Sequence, residues 1–237
     1  METSIQVKER PILFAGAMVR AILSGQKTQT RRAVKLDHLI PKRMQDEAST
    51  VESFFNANPV WTQQGFIEAS NLCPYGQPGD RLYVRETWAN LTAEVEGQPT
   101  GREDGDTWGP TWVYKANTGD EQGMADCGMK WKPSIHMPRR ASRILLEIVS
   151  VRVERLQDMS EADAVAEGLK ICPNMNGRPG STGYVFPDCH YDKAGLCHSM
   201  AVTAFSQGWD SIYGESETQA WQANPWVWVI EFRRINP

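Results

Sequence analysis

The octet GQKTQTRR (25–32) collects a lysine, two threonines and two arginines immediately after a helix-like stretch, and those residue types describe a chemistry. A threonine hydroxyl is a weak nucleophile until an adjacent base takes its proton. A lysine amine can act as that base only where burial or other cations lower its pKa from about 10.4. Arg31 and Arg32 would supply such cations beside Lys27 and Thr30. On a regular strand, positions 27 and 30 point to opposite faces, so a site shared by Lys27 and Thr30 requires a turn or a bulge. The bland reading of the octet is a helix C-cap followed by a solvated basic turn, since cations are favoured near a helix C-terminus.

A carboxylate to partner them is offered by SEADAVAEGL (160–169). The pattern predicts a short helix with Ser160 as N-cap and Asp163 three residues on, ending at Gly168. Ala162, Val165, Ala166 and Leu169 would form its buried stripe. Glu167 fits poorly, because a carboxylate in the last turn faces the negative end of the helix dipole at a cost of up to ~1 kcal/mol. Local rules break most often at functional sites, which makes Glu167 a candidate.

Three further groups carry chemistry. In QPGDRLYVRETW (77–88) a turn feeds a strand whose alternation puts Leu82, Val84, Glu86 and Trp88 on one face. Glu86 reads either as an inward acid, with Trp88 as a stacking platform for a base, or as a carboxylate paired with Arg85 or Arg143 beside a core tryptophan. SIHMPRRASR (134–143) holds His136, Arg139, Arg140 and Arg143, a basic cluster suited to a phosphate backbone or to a solvated turn. Residues 172–198 contain Cys172, Cys189, His190, Cys197 and His198, enough donors for a structural zinc, although without the C-x-x-C clip.

Composition narrows the classes. The 237 residues are 41% hydrophobic and 23% charged, ordinary for a globular chain able to bury a core. With a net charge of −4, nucleic acid would have to bind at a local basic patch or a single-nucleotide pocket. No apolar run approaches the roughly 20 residues of a membrane span, and the N-terminal segment shows no signal-peptide pattern. The five cysteines are an odd number, expected as reduced thiols or metal ligands rather than as a disulfide framework. A cytoplasmic protein is the expectation.

The elements that must position these residues are mostly short strands. PILF (11–14), the strand after Asp80, TWVYKA (111–116), the long run SRILLEIVSVRVERL (142–156) and a closing NPWVWVIEFRRI (224–235) are strand-like. MVRAILSG (18–25) is a helix with Met18, Ile22 and Leu23 on one face and Gly25 as its left-handed stop. A helix is also predicted over MAVTAFSQGWDSIYG (200–214), and 36–60 is a polar insertion with a possible helix. The class is α+β, mainly β: a small barrel with short peripheral helices in a single domain, 1–237. Segment 172–198 reads as a loop.

These pieces, in this order, resemble the ASCH family, relatives of the PUA domain. GQKTQTRR matches its G-x-K-x-x-x-x-R signature through Gly25, Lys27 and Arg32. PGDRLYVRETW and VWVIEFRRI are also similar, over 10–35, 77–90, 142–170 and 225–235. In length and inserted segments (36–76, 91–135 and 171–223) the chain looks like ASCH proteins of tailed phages and prophages. The resemblance implies a PUA-like β-barrel linked to RNA and modified nucleosides. One compact bacterial member of the family deacetylates N(4)-acetylcytidine, with a proposed lysine, threonine and glutamate set that corresponds here to Lys27, Thr30 and Glu167.

The expectation is therefore an amidohydrolase of an N-acylated nucleoside or modified base, working without a catalytic metal. Lys27 or Glu167 is the general base, Thr30 attacks directly or through a water, and Arg32, Glu86, Trp88, His136 and Arg139 bind substrate. Zinc, if held by Cys172, Cys189, Cys197 and His198, would be structural. The rivals are a reader of RNA or a modified nucleotide that does no chemistry, an ASCH ribonuclease, and an accessory protein that docks on a host protein through the acidic loop at 94–106.

Overall fold

The computed structural model describes residues 7–39, 50–57, 71–90, 112–118 and 130–235. In chain order they form β1 (Glu9–Leu13), α1 (Gly16–Leu23), β2 (Gln29–Ala33), α2 (Leu36–Leu39), α3 (Val51–Ala57), β3 (Arg81–Arg85), β4 (Trp88–Asn90), β5 (Trp112–Tyr114) and α4 (Lys115–Thr118). After them come β6 (Leu145–Arg155), α5 (Glu161–Ala166), β7 (Lys170–Pro173), β8 (Thr182–Val185), α6 (His190–Lys193), α7 (Ala201–Tyr213) and β9 (Trp226–Ile235). Most of the expected strands and helices are present, as an α+β fold with more strands than helices. The acidic loop at 94–106 lies outside the described residues.

One five-stranded sheet runs in the order β1-β3-β6-β9-β2. Its β1–β3 pair is parallel and the other pairs are antiparallel. β9 lies between β6 and β2 and is buried on both faces, which is why its sequence reads as a continuous apolar run. Trp228, Ile230 and Phe232 pack with Leu82, Val84, Leu146, Ile148 and the α1 residues Met18, Val19 and Ile22. Val227 and Val229 face the other way, against Leu156, Leu169, Phe205 and Trp209 under α7. A bulge in β6 between Ile148 and Ser150 turns Val149 outward and adds local twist.

The sheet curls until its two edges meet. The Arg32 guanidinium on β2 donates to the Leu13 carbonyl on β1 at 2.7 Å. No strand ladder joins those edges among the described residues, so the closed barrel expected from the sequence is instead an open, curled sheet. At that join the Phe14 ring lies under the Lys27 ammonium (5.6 Å) and the Arg32 guanidinium (5.2 Å).

Segment 172–198, expected as a loop, carries structure of its own. β7 and β8 pair antiparallel, and a disulfide joins Cys172 to Cys197. The expectation of reduced or metal-bound cysteines is corrected for this pair. Phe186, just after β8, packs so tightly on Gly208 of α7 that a Cβ there would lie 1.9 Å from its ring. That contact docks the segment on the sheet's outer layer. Among the described residues, no helix is long and apolar enough to cross a membrane.

Candidate functional site

The turn after α1 delivers Lys27. Gly25 adopts φ +77°, and the amides of Gln26 and Lys27 both bond back to the Ala21 carbonyl. The chain then enters β2 with the Thr28 amide on the Ala166 carbonyl and the Phe232 amide on the Thr28 carbonyl. This is the turn that lets Lys27 and Thr30 line one cavity, where a continuous strand would have separated them.

Glu167 arrives from the opposite side as the C-cap of α5. The Ser160–Asp163 capping box is formed as predicted, and of the expected stripe Leu169 is buried and Val165 packs against the same core. Ala162 is exposed, and it is Ala164 and Glu167 that turn inward. The chain reverses at Gly168 with φ +91°, where an added Cβ would sit 3.0 Å from the Cβ atoms of both Ala21 and Lys27. Only glycine permits that approach of the α5 end to the α1 end.

The resulting ion cluster is buried. Lys27 is 4% exposed and its Nζ donates to Glu167 Oε2 (2.8 Å) and to the Glu167 carbonyl (2.7 Å). The carbonyl is one of the unpartnered groups at a helix C-terminus, so the lysine answers both the side-chain charge and the helix dipole that made Glu167 look misplaced. Arg31, buried on the same face, donates to Glu167 Oε1 at 3.2 Å and to Glu154, with Asp163 Oδ2 at 3.7 Å. Arg152 continues the chain of charges through Glu154 and Asp163 to Glu231.

Electrostatics favour a neutral Lys27 more than in a free lysine. Burial lowers its pKa, Glu167 opposes that shift, and Arg32 and Arg31 add to the lowering. Glu167 is shared, so its charge still has Arg31 as a partner when Lys27 gives up a proton. Arg31 was seen in the sequence only as a source of field. Its role as the second partner of Glu167 is visible only once β2 is placed beside α5.

The cavity beside this cluster measures ≈ 130 Å³, and Lys27, Thr30, Arg31, Arg32 and Glu167 line it together with apolar residues such as Phe14, Phe186 and Trp209. The Thr30 hydroxyl makes no hydrogen bond with the described residues, and Lys27 Nζ donates to Glu167 instead. Arg32 has one guanidinium nitrogen on Leu13 and no carboxylate partner among the described residues.

The other sequence candidates lie elsewhere. Glu86 is 1% exposed and held by Arg143 through two bonds (2.9 and 3.0 Å), as one of its two sequence readings anticipated. Trp88 packs with Met137, Ala141 and Trp112 rather than presenting a stacking face. His136 is exposed in a 3₁₀ turn, and Arg139 pairs with Glu9 and covers Tyr83. None of these four lines the Lys27 cavity. The zinc set also comes apart: Cys172 and Cys197 are bonded to each other, Cys189 is buried beside α6, and no three His, Cys, Asp or Glu among the described residues are grouped to hold a metal ion.

No family model matches the chain, and neither a curated protein nor a solved structure matches it.

Proposed function

We propose that this chain is a nucleoside N-deacylase, a hydrolase that removes an acyl group from the exocyclic amine of a base such as N(4)-acetylcytidine. The observation that carries the reading is the buried Lys27–Glu167–Arg31 cluster opening, with Thr30, onto one cavity. The ASCH resemblance supplies the substrate class, and on that reading the curled sheet is a PUA-like barrel left open between β1 and β2.

In the proposed reaction a water stands between Lys27 Nζ and Thr30 Oγ1, which do not bond directly. Lys27, as the neutral amine, takes a proton as the water oxygen bonds the acyl carbon. The carbonyl electron pair moves onto its oxygen, which meets the Arg32 guanidinium on the cavity wall. Collapse restores the carbonyl, breaks the C–N bond, and Lys27 returns its proton to the leaving amine nitrogen. One water and one amide give one acid and one amine. Glu167 is the positioning residue, fixing Lys27 through two bonds while Arg31 compensates its charge.

A binding module without chemistry has one observation in its favour: the missing hydrogen bond between Thr30 and Lys27. Purified protein incubated with N(4)-acetylcytidine and with other N-acylated cytidines and adenines, followed by mass, separates the two. Release of free nucleoside, lost by ~100-fold in Lys27→Ala and Thr30→Ala, is expected of a deacylase. An acyl adduct on Thr30 would move the attack from water to the hydroxyl. No turnover of any substrate, with binding retained in Thr30→Ala, would leave the reader.

A further inference from the structure

The deacylase reading uses only the smaller of two adjoining spaces. Next to the Lys27 cavity lies a groove of ≈ 320 Å³ between β1 and β2, and Leu13, Arg32 and Tyr213 line both. Its charge is one-sided. Arg32, Lys35 and Arg85 face it, no Asp or Glu is among its described lining residues, and none of the three has a carboxylate partner among the described residues. Several arginines elsewhere are tied to acids, Arg31, Arg139, Arg143 and Arg152 among them.

Arg85 is the most telling of the three. Its Nη1 donates to the Ile135 carbonyl, while its Nε is buried with no partner. That Nε is closed to solvent, so it is the rest of the Arg85 guanidinium that meets the groove. His38 adds a further donor. Its Nδ1 accepts from the Lys35 amide and from Trp228 Nε1 (3.2 Å each), which leaves the proton on Nε2. The Tyr75 and Tyr213 rings complete the walls.

Resting on the deacylase reading, we propose that this groove is a phosphate-ester subsite, so that the substrate carries a phosphate on the sugar side of its acylated base. The small cavity takes the acyl group and the base edge. The sugar passes Arg32 and Leu13, and the phosphate lies among Arg32, Lys35 and Arg85, where charge-assisted bonds are strongest. A phosphomonoester and the phosphodiester of an oligonucleotide share this chemistry.

The test needs no hydrolysis. Tryptophan fluorescence titrations of the full chain compare cytidine, cytidine 5′-monophosphate and a short oligocytidylate. The monophosphate is expected to bind at least ~10-fold more tightly than cytidine, the size of one charge-assisted contact. That ratio should fall below ~3-fold in Lys35→Gln and in Arg85→Gln. Lys35 is exposed, so its variant keeps the test valid if Arg85→Gln misfolds. An oligonucleotide that outbinds the monophosphate assigns the subsite to a polymer; the reverse assigns it to a mononucleotide. Equal binding of cytidine and its monophosphate, or a preference untouched by both variants, overturns the proposal. A phosphate preference without any release of acid from the acylated substrates would instead retire the deacylase and keep the subsite.

Discussion

Lys27 carries the pH behaviour of the site. Its folded pKa lies below the ordinary value of 10.5 because burial outweighs the opposing pull of Glu167. Between the folded and unfolded values the unfolded chain binds more protons, so stability rises with pH through that window. Below it the protonated, buried ammonium carries its full penalty. Lys27→Met removes the titrating group, so the stability of the wild type relative to this variant should climb as the pH is raised toward 10.5 in urea denaturation. A flat difference would mean that Lys27 keeps its ordinary pKa in the fold. Glu167→Gln removes the pull that holds the proton on, and the acid limb of kcat/KM should then move to lower pH. Thr30 and Lys27 were legible as residue types in the sequence. Their shared cavity was not, because it depends on the turn at Gly25 and on Glu167 crossing from 140 residues away.

At the scale of elements, the site is a meeting of two helix ends, and Gly168 is the hinge pin between them. Alanine there meets both a left-handed φ and two Cβ atoms at 3.0 Å, which together should cost at least about 2 kcal/mol. Because one of those atoms belongs to Lys27, Gly168→Ala should lower turnover by more than ~10-fold even under conditions where the chain stays folded, read by circular dichroism beside the deacylation assay. The segment from β7 to α6 contributes Phe186, Pro187 and Asp188 to the cavity wall and is closed by Cys172–Cys197. Replacing both cysteines with alanine should lower stability by about 3 kcal/mol, as loop closure over 25 residues implies, and raise KM more than it lowers kcat. The long strands, the capping box and both amphipathic helices could be read from period and caps. β7 and β8 could not: four residues each, with a Gly, a Pro and a Lys among them, they give no two-residue signal. The Cys172–Cys197 disulfide and the Phe186–Gly208 contact flank that pair.

Over the whole molecule, the net charge of −4 hides a local excess. Acids gather with arginines in the Arg31–Arg152 network, while Arg32, Lys35 and Arg85 face the groove without acids among its described lining residues. The basic cluster legible in the sequence lies elsewhere: His136 and Arg139 sit on the exposed surface, and Arg139 is paired with Glu9. The barrel expectation failed at the join of β1 and β2, where no strand ladder forms among the described residues and Arg32 reaches Leu13. That join separates two properties that are usually coupled. Strand pairs elsewhere in the sheet cannot be moved apart without breaking ladder bonds, whereas here, among the described residues, the Arg32 side chain bonds Leu13 without a ladder. Ligand preference can drift at this seam with little loss of thermal tolerance. If the proposed deacylation is observed, Leu13→Ala and Tyr213→Phe should change relative kcat/KM among acyl groups by several-fold while shifting Tm by no more than a few degrees, which would make the gap between β1 and β2 a place where ligand preference changes at little cost in stability.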